Sequence, residues 1–258
     1  MFRTRDYVLY TPGEIGGIRT AAQATAQVRD ELASMITPGM TTAEVDELAG
    51  RLIAAVGGVS SFLNYNGFPA QICISVNDVV IHGIASPTQV LRTGDLVSLD
   101  LGVGINGYTG DSAVSFIVGR DPDPDEARLL DVTREALAAG ISAAVAGNHV
   151  RDISRAVERC AVAGRLGIVR EFVGHGCGSR LHEPPDIPNY NCGRPGPRLQ
   201  PGMVLAIEPM FTLGSPRVKV AADGWTVNTC DGKKSAHFEH MVLITDKQPE
   251  ILTWRKTM

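Results

Sequence analysis

The sequence predicts an α/β (α+β) fold in which helices pack on buried strands within one domain, residues 1–258. Three observations predict it. Capping boxes mark helix starts, one amphipathic helical pattern occurs twice, and apolar runs of strand character follow each occurrence. A chain of 258 residues is within reach of one large domain, and no stretch rich in Pro, Gly and Ser divides it.

The first helix opens at Thr11-Pro12-Gly13-Glu14, a capping box with proline at the first helical position. Thr41-Thr42-Ala43-Glu44 opens the second. Behind it Val45, Leu48, Ala49, Leu52, Ile53 and Val56 fall on one helix face, so this helix covers a core. Strand-like runs follow at 72–76 and 96–118. A third helix starts at Asp123-Pro124-Asp125-Glu126, with Asp as the cap. The segment after Gly147 then repeats the second helix. Aligning Gly39 with Gly147 carries Thr41 onto His149, Val45 onto Ile153, Leu48 onto Ala156 and Ala49 onto Val157. Further strand-like runs follow at 204–210 and 225–244. Two related halves, about 11–120 and 121–254, account for this order. Two unrelated amphipathic helices would give the same match, and the sequence leaves both readings open.

Composition narrows the function classes. With 44% hydrophobic and 20% charged residues the chain buries a core and is not disordered. Its net charge of −4 comes from interspersed signs without a basic stripe, which argues against a dedicated nucleic-acid binder. No apolar run has the length of a membrane span, and charge and Pro-Gly interrupt the N-terminus before any signal-peptide core forms. The five cysteines are odd in number and form no CxxC pair, so neither a disulfide framework nor a zinc ribbon is indicated. A reducing, cytoplasmic compartment is the expectation.

Four acids stand in or beside apolar strand-like runs: Asp100 in LVSLDLGV, Asp111 in GDSAVSFIV, Glu208 in MVLAIEPM and Glu239 in HFEHMVLIT. An ionised carboxylate buried there costs several kcal/mol unless it is paired. A cap, an ion pair or a strand edge would explain any one of them. Four together, with no Lys or Arg runs beside them, call for another counter-charge. The segment between Asp100 and Asp111 holds Gly102, Gly104, Gly107 and Gly110 and the turn signal Asn106-Gly107, and it reads as a hairpin connection. Strands returning from it would bring the two carboxylates together at one end, where they repel unless a divalent cation lies between them. His175, in Gly174-His175-Gly176-Cys177-Gly178, is a turn residue or a fifth ligand. Two divalent ions balance the four acids, and an oxygen-rich set with one imidazole suits Mn, Fe or Co, with Zn also accommodated. Cys177 reads as a small buried residue.

The ordered series His82 in NDVVIHGI, Asp100 in LDLG, Asp111 in GDSA, His175 in GHGCG, His182 in LHEPP, Glu208 in IEPM and Glu239 in SAHFEHM resembles the short bacterial, type I methionine aminopeptidases, from Thr11 to about Thr253. The tract from His182 to Glu208 has no room for the insertion of the second type. The resemblance implies a pita-bread fold, two pseudo-symmetric halves with antiparallel sheet covered by helices. It implies two divalent ions (Co, Mn or Fe, with Zn and Ni as further candidates). Asp100 would chelate one ion, Asp111 and Glu239 would bridge both, and His175 and Glu208 would complete the other. The implied catalytic residues are Glu208 as proton shuttle, with His82 and His182 contacting the substrate backbone and scissile carbonyl. Phe62, Tyr65, Phe68, Cys73, Leu181 and Trp225 would line the methionine pocket, where Phe62 and Leu181 replace a Cys and a Phe common in relatives. Asn77 and Ser235 match positions near a monovalent-cation site. The implied partners are N-termini of nascent polypeptides with a small second residue, met by a cytoplasmic monomer in transient contact with the ribosome.

Three other readings compete. A proline-specific aminopeptidase or prolidase shares such a ligand set, but normally carries an additional N-terminal domain for which this sequence leaves no space. A non-catalytic module of the same fold would typically have lost ligands, and all five are present. A plain binding protein would use the acids in ion pairs and hold no metal.

Overall fold

The computed structural model describes residues 1–4 and 6–254; Arg5 and 255–258, part of the expected 1–258 unit, lie outside the described residues. Three helices start where the capping boxes put them, α1 at Pro12–Met35, α2 at Thr42–Ala55 and α3 at Pro124–Ala143, and α4, Val150–Gly164, starts after His149 where the repeat puts it. The boxes close through the predicted acids. The backbone N–H of Thr11 donates to Glu14 Oε2 at 2.9 Å, that of Thr41 to Glu44 Oε2 at 2.7 Å and that of Asp123 to Glu126 Oε2 at 2.8 Å. Among the described residues no helix is long and apolar enough to cross a membrane.

Each helix pair covers antiparallel strands. The first half is built on the hairpin Leu96–Ile105 and Tyr108–Ile117, paired without interruption from Leu96–Ile117 to Ile105–Tyr108. Asn106 and Gly107, with φ of 50° and 81°, form the two-residue turn. Val59–Ser60 and Cys73–Val76 pair along the free edge of Leu96–Ile105. In α2, Val45, Ala49 and Ile53 are buried against Ile72, Ile74, Val97 and Leu99, while Leu48, Leu52 and Val56 flank them half-buried. In the second half the strand order is Glu183–Ile187, Gly174–Gly176, Val204–Ile207, His240–Leu243, Glu250–Ile251. A three-stranded sheet, Ser235–His237, Met210–Thr212 and Gly167–Ile168, lies beside it. Leu129, Leu137, Ile153 and Val157 from α3 and α4 fill the core with Leu205, Ile207 and Phe211.

The repeat left open by the sequence is structural. Gly39 and Gly147 adopt φ of 99° and 95°, and their N–H groups donate to Leu91 O at 2.8 Å and Leu199 O at 2.9 Å. Thr41 bridges to Val90, and His149 bridges to Arg198. The offset that carries Gly39 onto Gly147 carries each of these partners onto its counterpart, and carries Asp100 onto Glu208. Chance similarity of two helices would not reproduce the hydrogen bonds around them.

An ion cluster around the buried Glu126 ties the halves together. Glu126, at the start of α3, receives both Arg120 Nη atoms at 2.7 and 2.8 Å and Lys234 Nζ at 2.6 Å, and Lys234 also donates to Gly94 O at 2.8 Å. Burial by itself would raise the carboxyl pKa, but the donors from Arg120, Lys234 and the Asp123 N–H outweigh it and hold it at about 2. Depression means that the ionised form is favoured in the fold. This stability is present above the ordinary glutamate pKa of about 4.3 and is lost as pH falls through about 2. Glu126→Gln is therefore expected to cost about 1–3 kcal/mol at neutral pH, in urea unfolding at a series of pH values. The gap to the parent should narrow as the pH falls below about 4; a pH-independent gap would contradict the ionic origin.

Candidate active site

Asp100 and Asp111 stand diagonally across the hairpin, on one face, because Asp100 pairs with Ala113 and Asp111 with Gly102. The glycine-rich segment expected as their connection is itself strand, apart from Asn106-Gly107. The carboxylates thus meet in the body of the hairpin rather than at its end. Unbroken pairing, which the glycines do not prevent, is the reason. Glu208 follows Val204–Ile207 directly, and Glu239 sits in the break between Ser235–His237 and His240–Leu243, its N–H donating to Ala113 O at 3.0 Å.

His175 lies in strand Gly174–Gly176, not in a turn. Its glycines are required by close approach: a Cβ at Gly174 would stand 2.4 Å from Ala206 O, and one at Gly176 2.4 Å from Pro184 O. His175 Nδ1 is 3.0 Å from Gly176 O, and since a carbonyl only accepts, Nδ1 carries the proton. Nε2 is left as an acceptor, 3.3 Å from Glu208 Oε1 and 3.8 Å from Asp111 Oδ2. One donor atom each from Asp111, His175 and Glu239 lies within 4.8 Å of the other two.

These groups form the floor of a cavity of about 260 Å³, in which all the predicted site residues meet. Phe62, Phe68, Cys73 and Leu181 pack as a buried apolar cluster with Tyr65 and Trp225 against it. His82 adopts a left-handed φ of 58° and sets its ring edge-on to Phe172 at 5.5 Å and Trp225 at 6.1 Å. His182 stands exposed at the mouth, its Nδ1 2.8 Å from the Tyr65 hydroxyl and its ring 4.3 Å from that of His175. Away from the cavity, Ser235 donates to Asn77 O from its N–H at 2.9 Å and to Val79 O from its hydroxyl at 3.0 Å. Cys177 is buried in the core with Tyr10, Val204 and Met241.

The family model for metallopeptidase family M24 matches residues 16–246. The chain belongs to metallopeptidase family M24. It is 48% identical to methionine aminopeptidase 1 of Bacillus subtilis over 94% of this chain and 97% of that one. It is 44% identical to methionine aminopeptidase 1 of Mycobacterium tuberculosis, covering 93% and 92%. The crystal structure of methionine aminopeptidase from Thermotoga maritima matches with a TM-score of 0.93 at 39% identity, covering 96% of this chain and all of that one. The prolidase from Pyrococcus furiosus, at 24% identity and a TM-score of 0.78, shares the fold.

The electrostatics fit an M24 metal centre. Burial raises all four acids, and neighbouring acids raise three of them further: Asp100 reaches about 7, with His237 opposing burial and Glu208 adding to it, while Asp111 and Glu239 are pushed well above the carboxylate range by burial and by other acids of the cluster. Burial raises Glu208 likewise. Burial, with His182 adding to it, lowers His175 to about 3 and keeps it neutral, as a ligand must be. Asp111 Oδ1 and Glu239 Oε1 are buried without a hydrogen-bond partner among the described residues. Acceptor-only oxygens beside a neutral imidazole nitrogen are the donor set of a divalent cation.

The cavity also includes Ile81, Asn66, Phe172 and Val173, which sequence reasoning passed over. Phe172 and Val173 immediately precede the Gly-His-Gly tract, a usable signal; Asn66 carried none. His237 was passed over too, although it lies two residues before Glu239, the spacing that keeps a strand residue on the same face.

A raised carboxyl pKa destabilises the fold at high pH, so the metal-free protein should gain stability as pH falls through about 7 toward the ordinary aspartate value. Removing one repelling charge should act likewise. Metal-free Asp111→Asn is expected to melt above the metal-free parent at pH 7.5, with an unfolding free energy larger by on the order of 1–4 kcal/mol. Added divalent cation should reverse the order by stabilising only the parent. A variant that melts lower with and without metal would contradict the repulsion.

Proposed function

We propose that the chain removes the N-terminal methionine from nascent polypeptides, as a methionyl aminopeptidase that holds two divalent ions and prefers a small second residue. The observation that carries this reading is the apolar cluster Phe62, Phe68, Cys73 and Leu181 opening onto the acid and imidazole floor of the same cavity. A thioether side chain fits such walls, and the high identity to methionine aminopeptidases supports it.

Asp100, Asp111, His175, Glu208 and Glu239 would hold the ions, with cobalt, manganese or iron the metals suited to this set. When bound, the ions supply Lewis-acid polarisation and make water at the site more acidic. Glu208 takes a proton from the attacking water and delivers it to the leaving amine. His182 hydrogen-bonds the scissile carbonyl as negative charge develops on its oxygen. Its Nδ1 contact with the Tyr65 hydroxyl fixes the ring for that task. His82, lowered to about 4 by burial and by the nearby histidines, is neutral at working pH and contacts the substrate backbone. The unit is residues 1–258, with halves of about 11–120 and 121–254 that each supply two of the acids. Five unpaired cysteines support a reducing, cytoplasmic setting, and the chain works as a monomer.

Metal-stripped protein refilled with Co or Mn is expected to release methionine from Met-Gly-Met-Met and leave Met-Leu-Met-Met uncut. Glu208→Gln should lower kcat by roughly 100- to 10,000-fold, and His182→Ala should lower kcat while metal content holds. Near-parental turnover of Glu208→Gln would remove it as the base. Cleavage confined to Xaa-Pro peptides would favour a proline-specific peptidase.

A further inference from the structure

We infer that His237 is a positioning residue that holds the second oxygen of Glu208 through its Nε2–H; this rests on the reading of Glu208 as the proton shuttle. His237 ends the strand Ser235–His237 and pairs with Met210, two residues beyond Glu208. Its backbone is clamped from the first half: its N–H donates to Ser115 Oγ at 2.9 Å, and that hydroxyl donates to His237 O at 2.7 Å. The ring therefore has little freedom to leave the site. It is 1% exposed, and neither ring nitrogen has a hydrogen-bond partner among the described residues. A buried imidazole without partners calls for an explanation.

The Glu208 carboxylate supplies one. It lies between two imidazoles, with Oε1 3.3 Å from His175 Nε2 and Oε2 3.5 Å from His237 Nε2. The two rings are not equivalent. His175 spends its proton on Gly176 O, so its Nε2 has nothing to donate. His237 has no such carbonyl on Nδ1, and its proton is free to sit on Nε2, facing Oε2. At 3.5 Å the approach is loose, as catalytic hydrogen bonds often are before substrate closes the site. Once made, the bond fixes the plane of the carboxylate and leaves Oε1 directed at the cavity floor. Outer-shell donors of this kind orient a working carboxylate without touching the substrate.

The test compares His237→Ala and His237→Gln in metal-loaded protein, using Met-Gly-Met-Met turnover and bound metal by elemental analysis. Alanine should lower kcat by about 10- to 100-fold with KM and metal content held, and glutamine, whose amide N–H also donates, should recover most of the loss. In a Glu208→Gln background the alanine change should have no further effect, since both act through one group. Parental kcat in His237→Ala overturns the proposal. So does a glutamine variant as impaired as alanine, or loss of metal from His237→Ala, which would make the ring a ligand. A parent chain that releases no methionine overturns the aminopeptidase reading itself, and is seen before any variant is compared.

Discussion

The structure depends on one unfavourable interaction: four carboxylates brought together away from water, all raised by burial, with Asp100, Asp111 and Glu239 raised further by neighbouring acids. A fold does not keep such a cluster for stability, because buried like charges oppose folding. The remaining architecture is arranged to hold them in place. Each half contributes two acids, and Asp100 and Glu208 stand at equivalent positions of the repeat. Two copies of one α/β unit thus create a site that neither contains alone. Divalent cations convert the repulsion into attraction, which couples metal binding to stability and to pH.

Polar contacts between the halves supply the rigidity that such a site needs. Arg29 of α1 donates to Ser112 Oγ at 2.6 Å, and Ser112 donates onward to Glu239 O at 2.8 Å, so a helix of the first half fixes an acid of the second. Ser115 clamps His237, Asn77 receives Ser235, and Lys234 spans Gly94 and Glu126. Glu239 aside, none of these residues lines the cavity. The cavity side is left to apolar walls and to His82 and His182. Restraint behind the acids and access in front of them are what hydrolysis at a chain terminus requires.

Much of this is legible in the sequence because local rules write it there. Thr11, Thr41 and Asp123 announce helices through capping boxes that operate as read. The four acids are conspicuous because charge in an apolar strand costs free energy. Other features have no local signal. The glycines after Asp100 look like a connection, yet cross-strand pairing carries both strands to Asn106-Gly107. Phe62, Tyr65 and Trp225 are ordinary aromatics until the fold assembles them around one cavity, and only the family resemblance singled them out in advance. His237 escaped because its partner, Glu208, lies far off in sequence, just before the strand Met210–Thr212 that pairs with it, and strand pairing over that distance is a property of the topology.

Burial and mutual repulsion hold the acids partly protonated until divalent cations displace those protons. Calorimetric titration of the metal-free protein with Mn²⁺ tests this displacement most directly, repeated near pH 6 and pH 8 in buffers of different ionisation enthalpy. Binding should be tight, with net proton release that is larger at the lower pH. Binding without proton release at either pH, or no binding at all, would contradict it.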